Sequence, residues 1–97
     1  MYEVTPIKDT VTPEGIRVIY AQTCNEVCSQ QVAVAVKDGI IIEAAFVGGC
    51  SGNTQGVARL VAGMKVEEAI KRMEGIRCGG KGTSCPDQLA RALKLFL

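Results

Sequence analysis

The stretch QVAVAVKDGIIIEAAFVGGCSGNTQGVARLVAGM, residues 31–64, changes its period halfway. Val32, Val34 and Val36 alternate with alanines, Asp38-Gly39 interrupts, and IIIEAAFV resumes an alternating pattern. A period of two belongs to strands. Asp-Gly between two such runs is the strongest short hairpin signal, because a type I′ turn needs positive φ at both central residues. The spacing therefore predicts a hairpin over 31–37 and 40–47, with Ile40, Ile42, Ala44 and Phe46 sharing one face of the return strand. Beyond Gly48-Gly49-Cys50 the apolar residues recur at helical spacing instead. Ser51 suits an N-cap, Val57, Leu60 and Val61 form a stripe, and Gly63 supplies a stop.

Working outward, GIRVIYAQ alternates as a strand near 15–22, while residues 1–14, with Pro6 and Pro13, read as an irregular or edge-strand lead-in. KVEEAIKRMEG predicts a helix with Val66, Ala69, Ile70 and Met73 inward. Its Glu67–Lys71 and Glu68–Arg72 pairs lie on a solvated face. CGGKGT is a glycine-rich loop, and the last helix begins near Ser84 with Leu89, Leu93 and Phe96 toward the core. Strands first and helices afterwards predict an α+β fold: a small antiparallel sheet covered by about three C-terminal helices, in a single domain over 1–97.

The totals exclude several classes of function. Net charge is +1 from 11 basic and 10 acidic residues, so no basic footprint points to nucleic acid. Aromatic residues make up 4% with no Trp, which removes the stacking platforms that single strands use. The apolar runs are short and interrupted, and MYEVTPIKDT lacks a signal pattern. A membrane partner and secretion are not expected, and a cytoplasmic location with reduced thiols is.

Five cysteines and no histidine stand out. They occupy positions 24, 28, 50, 78 and 85. An odd number argues against a complete disulfide framework, and in a reducing compartment such a set points to metal or redox chemistry. Two of them sit at helix starts. With Ser84 as N-cap, Cys85 opens the last helix, Pro86 follows in the first turn, and Ser-x-x-Asp resembles a capping box ending at Asp87. Cys50 directly precedes the helix at Ser51. The positive end of a helix dipole favours an anionic sulfur, as a metal or a redox partner requires. The missing histidine makes any metal site an all-sulfur one. The spacing is not that of paired C-x-x-C motifs, and glycine turns with small buried cysteines would explain much of the pattern without a metal.

The stretches VGGCSGNTQGVARLVAGM, EGIRCG and GTSCPDQLARAL resemble the TSCPD domain family, named for the motif found here from Thr83 to Asp87. The resemblance runs from about Gly15 to Leu97. It implies either a small stand-alone protein or the kind of domain found at the C-terminus of cobalamin-dependent ribonucleotide reductases. It carries four cysteines, here Cys28, Cys50, Cys78 and Cys85, and Cys24 is an addition to the pattern. A weaker likeness, through Cys28, Cys50 and Cys85, is to the U-type iron–sulphur scaffold proteins.

The resemblance and the residues together suggest a cysteine-cluster metal module, with zinc bound by Cys28, Cys50, Cys78 and Cys85, associated with ribonucleotide reduction and DNA synthesis. Iron or an iron–sulphur cluster would accept the same ligands. The expected partner is a ribonucleotide reductase or another protein of nucleotide metabolism. A second reading is a thiol redox module that passes electrons to a reductase through Cys78 and Cys85. Nucleotide binding at the glycine-rich helix starts is a third possibility. The chain is too small to be a complete reductase, and it shows no Ser/His/Asp set, P-loop or G-x-G-x-x-G.

Overall fold

A computed structural model describes residues 3–24, 29–48, 51–77 and 82–97, with backbone alone at 29 and 51–53. Four antiparallel strands, β1 (Thr5–Val11), β2 (Arg17–Gln22), β3 (Ser29–Lys37) and β4 (Ile40–Gly48), form a meander in chain order. The helices α1 (Ser51–Val61), α2 (Val66–Met73) and α3 (Cys85–Leu93) follow, and a short 3-10 turn spans Lys94–Phe96. This is the expected α+β arrangement, with the lead-in supplying a fourth strand beside the three placed by pattern.

The hairpin turns at Asp38 and Gly39 with φ of 53° and 77°, the positive pair that a type I′ turn demands. Val32, Val34 and Val36 of β3 are all buried, as is Ile19 of β2 opposite Val34. β4 departs from plain alternation. Ala35 pairs with Glu43 but Val36 pairs with Ile41, so Ile42 is an extra residue on β4. A bulge of one residue shifts the side-chain phase by one. Ile41 is therefore the buried residue at 1% exposure, while Ile42 stands 47% exposed. The expected face of Ile40, Ile42, Ala44 and Phe46 fails at its first half for this reason and holds at Ala44 and Phe46. The bulge also aims the Ile41 backbone outward. Its N–H donates to the Met64 carbonyl at 2.9 Å, and its own carbonyl accepts from the Gly63 N–H at 2.7 Å.

The helices cover one face of the sheet, α1 over β4 and α3 over β3, with α2 packed on α3. Val66, Ala69, Ile70 and Met73 are buried on α2, as their spacing predicts. Leu89 and Leu93 of α3 are fully buried, and each contributes about 2 kcal/mol by leaving water. In α1 the inward face is Thr54, Val57, Ala58 and Val61, and Leu60 is 77% exposed, outside the stripe expected for it. Ser51 is the first residue of α1 and not its N-cap.

The N-terminal lead-in takes the edge-strand form, not the irregular one. All seven residues of β1 are exposed, and its register with β2 slips at Ile7, between Pro6 and Lys8. Arg17 secures this edge. Its guanidinium donates to both carboxylate oxygens of Asp9, at 3.0 and 2.6 Å, and stacks 5.4 Å above the Phe96 ring. Arg17→Ala should accelerate amide exchange in β1 while leaving α3 protected. Equal exchange in both proteins would show that the strand pairing alone holds this edge.

Candidate functional site

The start of α3 is built by the residues that flank Cys85. Ser84 is extended, with φ −153° and ψ 172°, and its Oγ accepts the Asp87 N–H at 3.1 Å. The same hydroxyl donates to the Ile76 carbonyl at 2.7 Å. Pro86 occupies the first turn, where its missing N–H has no helical acceptor to lose. Cys85 is the first residue of the helix and is half-buried.

Asp87 sits at the position of a reciprocal capping-box acceptor but turns its carboxylate elsewhere. Oδ1 accepts the Gly75 N–H at 2.7 Å. Oδ2 accepts the Thr83 hydroxyl at 2.5 Å and the Arg91 Nε–H at 3.0 Å. The residue is 2% exposed. Burial works to raise its carboxyl, but the Thr83 hydroxyl, the Gly75 amide and the Arg91 guanidinium outweigh burial and hold it below the usual carboxylate range.

Gln88, fully buried, extends the network. Its Nε2 donates to the Thr83 Oγ1 at 3.1 Å, and its Oε1 accepts the Cys24 N–H at 2.9 Å. Every buried side-chain nitrogen and oxygen among the described residues has a partner. Thr83, Ser84, Asp87 and Gln88 thus form one satisfied polar hub under a helix start. It ties together the chain just past β2 at Cys24, the chain just past α2 at Gly75 and Ile76, and α3 itself.

The hub gives the motif a division of labour. Four of the six residues from Thr83 to Gln88 are buried, while Cys85 and Pro86 are half-buried. The buried ones hold backbone, and the sulfur of Cys85 is held at the helix start that they define. Of the other expected ligands, Cys28, Cys50 and Cys78 lie outside the described residues. In sequence, Cys28 follows Cys24 by four residues and Cys78 follows Ile76 by two, so two anchored segments lead toward expected ligands. Cys24, an addition to the four-cysteine pattern, is itself half-buried and bound through its N–H to the hub. Among the described residues no group of three or more cysteine or carboxylate side chains is arranged to hold a metal ion. No helix among them is long and apolar enough to cross a membrane.

Sequence reasoning placed Ser84 correctly and missed Thr83, Gln88 and Arg91. One signal was available. Gln88 stands next to Leu89 on the buried stripe of α3, and a polar amide in such a place needs partners from another segment.

Comparison with curated proteins and with solved structures returns no match. The family model described as TSCPD domain matches residues 6–97, essentially the whole length, and the motif that names the family is the one that builds this hub; the chain belongs to the TSCPD domain family.

Proposed function

We propose that this protein is a small metal-binding module in which the thiolates of Cys28, Cys50, Cys78 and Cys85 hold one zinc ion. The observation that carries this reading is the buried hub of Thr83, Asp87 and Gln88. It fastens two cysteine-leading segments to the helix start that bears Cys85. Such an investment of buried hydrogen bonds in backbone position suits a ligand set drawn from distant parts of a chain, because ligands must be held in place before an ion can join them. Cys85 fits the part through its place in the first turn, where backbone N–H groups face an anion. Zinc takes four thiolates in closed structural sites, and its binding free energy adds directly to that of folding. Service to a ribonucleotide reductase belongs to the same proposal, and its support is family membership.

The test is elemental analysis with an absorbance spectrum, on protein purified without oxygen or chelators. The expected result is one zinc per chain and no visible colour. Cys50→Ser combined with Cys85→Ser should lose the metal, a fall in affinity of more than about 100-fold. Iron with acid-labile sulfide would replace zinc by cluster chemistry. A metal-free protein with five reactive thiols would overturn the proposal and leave thiol redox chemistry in its place.

A further inference from the structure

The two edges of the sheet are unlike. β1 carries the features that discourage edge pairing, namely Pro6, a register slip at Ile7 and the charge of Lys8. β4 is the other edge, and beyond the bulge it runs in regular register from Glu43 to Val47 without proline or lysine, before the ladder slips again at Gly48. Along a strand, residues whose side chains share a face also turn their N–H and C=O groups to the same side. Ile41 faces the helices and aims its backbone groups outward, at Met64 and Gly63. Ala44 and Phe46 face the helices too, so their N–H and C=O groups also point outward. No described backbone group pairs with them there.

They open into a groove of about 300 Å³ between β4 and α1. Its floor is Ala44 and Phe46 with Glu43 next to them, α1 presents Thr54, Ala58 and Arg59, and Ala62 lies in the turn just past α1. The small side chains of Ala58 and Ala62 leave room for a further strand between the longer Gln55 and Arg59. Arg59 is exposed and makes no ion pair among the described residues.

We propose that the β4–α1 groove binds an extended segment of a partner protein by strand addition, with an acidic side chain of that segment meeting Arg59. Main-chain hydrogen bonds to Ala44 and Phe46 supply the attachment. Alternate side chains of the guest point under α1 against Ala58 and Ala62, the arrangement by which sheet edges beside a helix read peptides. A second copy of this chain fits poorly. Two β4 strands paired edge to edge would lie about 4.8 Å apart. Because α1 packs on β4 without comparable packing on β3, the two α1 helices would then sit nearer than the 8–10 Å that helix packing needs. A bare extended peptide brings no helix with it.

The site does not depend on the thiols, so it stands or falls apart from the metal reading. The probe is the peptide acetyl-VTETV-amide, whose first, third and fifth side chains turn to one side, followed by amide NMR of the full chain. Binding should shift the Ala44 and Phe46 amides and slow their exchange at least tenfold by about 1 mM peptide. A twin with N-methylated valines should fail, since it lacks the backbone donors. Arg59→Glu should reverse the preference toward acetyl-VTKTV-amide, and Ala62→Trp should block both. The proposal is overturned by absence of any shift, by shifts that spare Ala44 and Phe46, or by equal binding of the N-methylated twin. A species of twice the mass with both amides protected in the absence of peptide would assign the edge to a second copy instead.

Discussion

Asp87→Asn lowers stability by about 3 kcal/mol at neutral pH, measured as a shift in the urea midpoint at unchanged slope. The carboxylate accepts three hydrogen bonds, from Gly75, Thr83 and Arg91, in a site that is 2% exposed. An asparagine offers one acceptor oxygen and places N–H donors where donors already point, so at least one buried group is left unpaired. The cost carries a pH signature. The folded-state carboxyl is held below its ordinary value, so its contribution is present above the unfolded value of about 4. It is lost as the pH falls through the lower folded value. The gap between wild type and Asp87→Asn should therefore be constant from neutrality down to about pH 5 and then narrow. A gap that persists unchanged into acid would mean that folding leaves the Asp87 carboxyl unshifted, and a gap that widens would mean that the folded protein keeps it protonated.

Leu93→Ala should cost a similar amount, about 3 kcal/mol, by a different cause. Leu93 is fully buried on α3 and belongs to the core that joins this helix to the sheet. Its removal leaves a cavity, and no titrating group is involved, so this loss should not change between pH 7 and pH 3 relative to wild type. The two variants separate the two ways in which α3 is held. Asp87→Asn loosens the chain at Gly75 with the core intact, whereas Leu93→Ala weakens the docking of the whole helix. If the metal proposal holds, Asp87→Asn should impair metal retention more than Leu93→Ala does at equal stability. Equal impairment would mean that metal binding follows global stability alone.

Most of the fold was legible in the sequence, because most of it follows from local pattern. Asp38-Gly39 specified its turn through the two positive φ angles it tolerates, and Ser84 specified the start of α3 through the cap it forms. Val66 to Met73 gave α2 through spacing alone. The bulge at Ile42 was not legible. Three consecutive isoleucines fit either phase, and the choice is settled by the segment at Gly63 and Met64 that pairs with Ile41 from outside the strand. Leu60 misled for a related reason: α1 has a sheet edge beneath it, which buries a narrower stripe than periodicity assumes.

The candidate site was legible only in part. Ser-x-x-Asp predicts a contact within one helical turn, and the cap itself formed. The carboxylate instead answers to Gly75, twelve residues back, and Gln88 answers to Cys24, sixty-four residues back. No window of local sequence contains those partners.

That separation along the chain has a bearing on the order of folding. The hairpins of the meander join neighbouring segments and close small loops, which is fast. The contact between Gln88 and Cys24 closes a far longer loop, and it cannot exist until α3 has been synthesised, after every strand. A growing chain therefore can pair its neighbouring strands before the hub exists, and it acquires the hub in one late docking event. Stalled at Gly82, it would contain four of its five cysteines and lack both Cys85 and the Gln88 that reaches Cys24.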